Sequence, residues 1–188
     1  MKSIAIIGLL LLIFGGCDLF NTRDAEIPTL ARSNFQGATT PDKVIPNLEN
    51  SFKDKNVVNY LACLSDSNYV FSPSSGAASL YQSFASWNKT YEGAYFNTLI
   101  SPSNVFADSQ LTLTITVHDS IPEGGGYIYS ASYIIVIPFI DSSKPSKYQG
   151  DLKFYMSQDS RKAWSIYLWQ DIKSTDFPSW SDLKGRLY

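Results

Sequence analysis

Residues 111–137 read LTLTITVHDSIPEGGGYIYSASYIIVI, and their pattern is the main indication of the fold class. From Leu111 to His118, apolar residues alternate with polar ones, a period of two that predicts an antiparallel strand with one buried face. Residues 124–126 are glycines that supply a turn. The β-branched and aromatic run from Tyr127 to Ile137 predicts a second long strand, buried on both faces near residues 134–137. The stretch therefore predicts a β-hairpin.

Two further strands are predicted after the hairpin, at 148–156 and 163–170. The first carries Leu152, Phe154 and Met156 on one face. For the second, strict alternation puts Trp164, Ile166 and Leu168 on one face and Tyr167 and Trp169 on the other. The tail Trp180–Lys184 predicts a helical turn that docks on the domain.

Helical spacing precedes the hairpin. Thr40 is expected to cap a helix that opens with Pro41, and Pro46 is expected to kink or delay that helix. Asn56 and Asn88 are predicted to cap two more helices. Helices followed by an antiparallel meander predict an α+β fold, in which N-terminal helices pack against a curved, mainly antiparallel sheet.

The N-terminus has the pattern of a targeting sequence. A positive start at Lys2 precedes an apolar stretch of residues 4–14, too short to span a bilayer. Residues 14–17 (FGGC) resemble the lipobox of bacterial lipoproteins, with Phe14 where leucine is commonest. That resemblance implies cleavage between Gly16 and Cys17 and lipidation of Cys17. We therefore expect a signal peptide at 1–16, a flexible tether at 17–38 and one domain at 39–188, although an ordinary secreted protein with a chance cysteine is the alternative.

Charge and cysteine content exclude several classes of protein. The formal net charge of −2 argues against a nucleic-acid binder, which needs a basic face. With Cys17 lipidated, Cys63 is the remaining thiol, so no intramolecular disulfide is expected. Cys63 lies in the apolar run YLACL, which predicts a buried, inert thiol.

Several motifs together resemble a group of bacterial lipoproteins. The motifs are TPD at 40–42, NLENSF at 47–52, NYL at 59–61, LS at 64–65, YVF at 69–71, Trp87 with Glu92, WSIYLWQD at 164–171 and WSDLK at 180–184. The group is similar to the cone fold of the nuclear-transport-factor-two superfamily, which includes ketosteroid isomerase and polyketide cyclases. The resemblance implies a curved sheet wrapped over helices around a conical pocket. It implies no activity, because one fold hosts both enzymes and binding modules.

The candidate catalytic residues are few. His118, the only histidine, shares parity with threonines and is expected on the polar face. Asp171 ends a strand, where an aspartate more often bonds turn amides than catalyses, and Asp151 begins one. Glu92 is expected to be an exposed or arginine-paired helix carboxylate. Residues that would line a pocket, if one exists, are Tyr91, Tyr129, Tyr133, Tyr155 and Trp164, with Tyr167 a further aromatic candidate.

No cofactor or metal site is expected. The chain has one histidine, Cys17 is expected to be lipidated and Cys63 to be buried, so no set of zinc ligands remains. Glycines 124–126 join two strands and are expected to form a turn, not a phosphate-binding loop.

Three functional hypotheses remain open from the sequence. The first is a lipid-anchored, non-enzymatic envelope protein that binds a hydrophobic ligand or an envelope protein, on the inner or the outer membrane. The second is an isomerase, dehydratase or cyclase acting on a small apolar substrate, which requires a buried carboxyl group in a cavity near tyrosines. The third is an assembly role as a homodimer. The first hypothesis assumes an interior without an acid or base.

Overall fold

A computed structural model describes residues 34–188; the predicted signal peptide, Gly16 and Cys17 lie outside the described residues. The helices are α1 (Val44–Lys53), α2 (Val57–Ala62), α3 (Ser75–Leu80), α4 (Lys89–Leu99) and α5 (Trp180–Leu187). The strands are β1 (Val70–Ser72), β2 (Thr112–Glu123), β3 (Gly126–Val136), β4 (Lys147–Gln158) and β5 (Trp164–Ile172). Short 3-10 turns lie at Pro41–Lys43 and Gln82–Ser86.

The five strands form one curved sheet in the order β1-β5-β4-β3-β2. Neighbouring strands are antiparallel except β1, which runs parallel to β5. Helices cover the inner, concave face, so the predicted α+β fold is confirmed. The long β2–β3 hairpin forms because its inward positions are apolar and the turn glycines Gly124 and Gly125 adopt positive φ.

Two of the three predicted helix caps are confirmed. The side chain of Asn56 accepts a hydrogen bond from the Asn59 amide, and that of Asn88 accepts from the first-turn amides of α4. Thr40 makes no side-chain cap, and a 3-10 turn precedes α1 instead. Pro46 is the third residue of α1, where an N–H has no carbonyl partner inside the helix, and α1 continues past it to Lys53.

A β-bulge corrects the predicted faces of the last strand. Tyr155 pairs with Leu168 while its neighbour Met156 pairs with Ile166, so Tyr167 is an extra residue in β5. The bulge shifts the alternation by one position. Leu168 consequently lies on the outer face, whereas Trp169 and Asp171 turn inward and are buried.

The predicted burial of residues 134–137 on both faces is wrong. Ile134 and Val136 are 39% and 42% exposed on the outer face, whereas Ile135 is fully buried on the inner face. The helices cover only one face of the sheet within residues 34–188, so an apolar run in β3 does not imply two covered faces.

Aromatic rings fill the concave side of the sheet. Trp180 of α5 stands at the centre, its ring centroid 4.3 Å from that of Trp169 and 5.3 Å from that of Tyr133. Phe52 of α1 packs edge-on at 5.6 Å from the same indole. Each such ring removes a large apolar area from water, worth about 1.5–3 kcal/mol. The C-terminal helix thus inserts into the space between sheet and helices.

The first described residues already bond to the domain. Asn34 donates to Asp54, the Gln36 amide donates to Asn47, and Ala38 accepts from the Trp164 amide. No helix within residues 34–188 has the length and apolar character required to span a bilayer.

Candidate functional site

A buried carboxylate, that of Glu92, is the centre of the candidate site. The Asn88 cap begins α4 so that Glu92 lies one turn inside the helix, with no exposed surface. Its oxygens accept hydrogen bonds from Tyr60 Oη at 2.7 Å and from Tyr69 Oη at 2.6 Å. Trp87 Nε1 donates at 2.8 Å. The expectation of an exposed or arginine-paired carboxylate is therefore wrong.

Lys184 of α5 supplies the charge that compensates Glu92. Its Nζ donates to Glu92 Oε1 at 2.6 Å, and both side chains are fully buried. The same Nζ lies 3.5 Å from the Phe71 ring centroid and 3.7 Å from that of Trp169, a cation–π geometry. Sequence reasoning missed this lysine, because Lys184 is one position in an amphipathic tail and nothing local marks it as buried.

Burial controls protonation around the pair. It lowers the pKa of Lys184 to about 8, while the Glu92 carboxylate opposes that change. Burial, together with the negative charge of Glu92, raises the pKa of Tyr60 and that of Tyr69 well above 10. Both phenols therefore stay protonated and donate to the carboxylate at neutral pH.

Asp171 forms a second buried carboxylate site, created by the bulge in β5. It accepts from Tyr133 Oη at 2.6 Å and from the Ser181 amide at 2.8 Å, so the amide that it bonds lies in the first turn of α5 and not, as expected from the sequence, in a turn after the strand. Tyr133 Oη in turn accepts from the Trp180 amide at 2.7 Å. A Cβ at residue 150 would lie 2.7 Å from that hydroxyl, so Gly150 leaves the space that Tyr133 needs.

All these polar groups converge on α5. Lys184 binds Glu92, Ser181 binds Asp171, and Trp180 donates its indole N–H to Tyr95 at 3.1 Å. A capping box between Ser179 and Asp182 fixes the start of the helix. Among residues 34–188, one buried side-chain polar atom has no hydrogen-bond partner, the indole nitrogen of Trp169. The expectation of an interior without an acid or base is wrong, because carboxylates, an ammonium group and phenols are buried there. Several of these groups form hydrogen bonds with the C-terminal helix.

The five sequence-predicted pocket residues are not brought together. Tyr133 is 1% exposed in the interior, and Tyr129 is buried further along the same strand. Tyr155 lies on the outer face beside Tyr167, with ring centroids 6.2 Å apart. Tyr91 packs between Trp87 and the C-terminal Tyr188.

Trp164 lines a surface cleft of about 430 Å³. Leu61 and Leu64 form part of the lining, together with the charged Lys89 and Arg161. Each cation already pairs with an aspartate: Lys89 with Asp66 at 2.7 Å and Arg161 with Asp159 at 2.8 Å. Exposed pairs of this kind contribute little stability, and they leave the cleft without a free charge to direct a ligand.

Two other candidates are placed as predicted. His118 is exposed at an irregularity of β2, and Cys63 is 2% exposed, where burial raises the pKa of its thiol to about 12. A thiol with that pKa is a poor nucleophile. Asp151 lies half-buried in β4, paired with Ser132 and Ile172 across the sheet. Within residues 34–188, no three His, Cys, Asp or Glu side chains are grouped to hold a metal ion.

The outer face of the sheet carries an apolar row that crosses all five strands. Cross-strand register aligns, in order from β1 to β2, Val70, Leu168, Tyr155, Ile128 and Ile121. The terminal members Val70 and Ile121 are 51% and 52% exposed. The next row along the strands is polar, with Lys153 and Asp119 among its members. An apolar strip with a polar border is typical of a protein-binding surface.

Solved structures similar to this chain show its fold. A conserved protein from Planctomyces limnophilus matches with a TM-score of 0.52 and 9% identity, over 70% of this chain and 91% of that one. The β subunit of benzoate 1,2-dioxygenase from Burkholderia mallei matches at 0.51 and 13% identity, over 70% and 86% of the two chains. A nuclear transport factor 2-like superfamily protein from Salmonella enterica matches at 0.44 and 11%, over 73% and 87%. The structures from Planctomyces limnophilus and Burkholderia mallei share with this chain the arrangement of helices on a curved sheet. No family profile and no curated protein sequence matches the chain.

Proposed function

We propose that the protein is a lipid-anchored, non-catalytic module of the bacterial cell envelope that acts through the outer face of its sheet. The main support for this proposal is that the module's own C-terminal helix fills the concave interior. Trp180 and Lys184 of that helix have no exposed surface, and the interior carboxylates bond to α5. A cone filled in this way offers no space for a substrate beside its acids.

For the alternative, an isomerase-type or cyclase-type enzyme, the interior holds the required chemical groups but has no cavity for a substrate beside them. Glu92 is a buried carboxylate beside two tyrosines, the arrangement that such an enzyme would need. However, Lys184 Nζ lies 2.6 Å from Glu92 Oε1 and three further donors surround the carboxylate, so a substrate atom has no open approach to it. The geometry therefore favours binding over catalysis.

The lipid anchor rests on the FGGC motif alone. Its expected product is a chain that begins at Cys17, tethered to the membrane through at least two acyl chains, which together hold a protein firmly. Metabolic labelling with radioactive palmitate tests this part. Label should enter the protein and be lost in Cys17→Ser, whereas a Cys63→Ala variant should keep it. Absence of label from the parent protein would refute the anchor.

For the outer face we propose a second copy of the chain as the partner. The row runs from one edge strand to the other, and Tyr155 of the middle strand stands at its centre. If a twofold axis passes near Tyr155 and relates two copies face to face, the rows of the two copies lie on each other in opposite directions. Val70 of one copy then meets Ile121 of the other. Two sheets stacked in this way bury alternate apolar side chains about 10 Å apart.

Site-specific cross-linking tests this contact with the full chain in detergent. Tyr155→Cys, near the twofold axis, should give a covalent dimer with a short bismaleimide. Lys147→Cys, on the same strand and face but eight residues away, is the matched control and should react much less. The unmodified chain, treated identically, measures any cross-linking through the native Cys17 and Cys63. Equal yields from both variants, or a mass that stays monomeric at every concentration in sedimentation, would overturn self-association.

A further inference from the structure

The surroundings of Lys184 form a closed cation site. The ammonium has an oxygen partner at 2.6 Å and two aromatic faces at 3.5 and 3.7 Å. Tyr95 and Trp180 stand further out, with centroids 5.8 and 5.9 Å away. A carboxylate combined with aromatic faces is the chemistry that binds organic ammonium groups.

The walls of this site are largely built without the C-terminal helix. Glu92 belongs to α4, Phe71 to β1 and Trp169 to β5. The carboxylate is held in place by Tyr60, Tyr69 and Trp87, which donate to it independently of the lysine. Removing the Lys184 ammonium therefore leaves the carboxylate oriented by three donors and the two nearest rings supported by their own strands.

We propose that this cluster is a built binding site for a primary alkylammonium ion, occupied intramolecularly by Lys184. The site distinguishes its ligand by shape and charge. One carboxylate oxygen and two ring faces fit a compact ammonium on an unbranched alkyl stem, whereas a quaternary ammonium is too bulky to approach Glu92 Oε1 at 2.6 Å. A neutral alcohol of the same length leaves the buried carboxylate without a counter-charge. In the parent chain, the covalent attachment of Lys184 excludes free amines.

Chemical rescue of Lys184→Ala in the full chain tests the proposal. The substitution removes three methylenes and the ammonium, which together correspond to the propylammonium ion. At neutral pH, propylammonium chloride should raise the unfolding temperature of this variant in a saturable manner, by roughly 5 °C at hundredfold excess over Kd. Sodium chloride at equal ionic strength, 1-propanol and tetramethylammonium chloride should not.

Three variants serve as matched controls. The parent chain should show no saturable response, because Lys184 fills the site. In Lys184→Met, a side chain of similar length occupies the space. In Glu92→Gln/Lys184→Ala, the carboxylate is missing. Propylammonium should not raise the unfolding temperature of either variant in a saturable manner. If Lys184→Ala does not fold alone, its refolding yield with propylammonium against 1-propanol gives the same answer. Equal effects of the amine and the alcohol would show simple cavity filling and overturn the ammonium site.

Discussion

At the scale of single residues, the decisive feature is that two opposite charges are buried together. Glu92 and Lys184 are 92 positions apart in the sequence and have no exposed side-chain surface. A buried pair of this kind need not add stability over two apolar residues, but leaving either charge alone is costly. The pair therefore acts mainly as a specific registration point for the C-terminal helix.

Glu92→Gln should destabilise the fold by about 3 kcal/mol, because the Lys184 ammonium would lose its counter-charge inside an aromatic cage. Urea unfolding at neutral pH measures the loss. The double variant Glu92→Gln/Lys184→Met should be more stable than Glu92→Gln alone, since it removes both charges. A loss below about 1 kcal/mol in the single variant would show that the ion pair is not the registration point.

Sequence reasoning identified Glu92 as a candidate but could not find its partner. The helix caps Asn56 and Asn88 are local signals, each readable from a few neighbouring residues, and both were predicted. Burial of Lys184 depends on the path of α5 across the sheet, which no local pattern encodes.

At the scale of elements, the bulge in β5 and the helix α5 determine the interior. Strict alternation predicted Trp169 on the face opposite Trp164, and one extra residue at Tyr167 turns both inward. The alternation of apolar and polar residues predicts the strands themselves, but it does not indicate where an extra residue forms a bulge. The bulge also brings Asp171 to the first turn of α5.

Gly185→Ala should destabilise the protein by about 1–3 kcal/mol, the reverse of the gain usual in a helix. A Cβ at residue 185 would lie 2.3 Å from Cδ2 of the Tyr81 ring, so α5 or the loop after α3 must move. Urea unfolding again gives the change in free energy.

The matched background for that change is Tyr81→Ala, which removes the obstructing ring. There Gly185→Ala should be neutral or stabilising. Destabilisation of equal size in both backgrounds would mean that the close packing of α5 against Tyr81 is not the cause.

At the scale of the whole molecule, the aromatic interior makes stability sensitive to alkaline pH. Burial raises the pKa values of Tyr60, Tyr69, Tyr95 and Tyr133 well above 10, and that of Tyr148 to about 12. In the unfolded chain these phenols ionise near pH 10, so above that pH the unfolded state binds fewer protons than the folded state. Their stabilising contribution is complete below pH 10 and is lost as pH rises.

Each of these tyrosines should therefore lower the free energy of unfolding by about 1.4 kcal/mol per pH unit above pH 10. Lys184 acts in the opposite sense between its folded pKa of about 8 and its ordinary 10.5, which should keep stability level or rising up to pH 10. Urea midpoints at pH 8, 10 and 11 measure this profile, and Tyr95→Phe should reduce the alkaline slope. Native-state phenolate absorbance near pH 10 with an amplitude that accounts for all 12 tyrosines would contradict the burial of these five.

Within residues 34–188 the domain is a cone filled from within, and both the non-catalytic proposal and the outer-face proposal depend on this packing. Native-state hydrogen exchange tests it most directly, by comparing the Leu183 amide of α5, which donates to Ser179, with core amides of β4 such as that of Phe154. If α5 is part of the core, both should exchange only by global unfolding and show the same free energy of opening. Exchange of the Leu183 amide through a local opening well below the global free energy would show that the helix leaves the cone and that the interior is accessible to ligands.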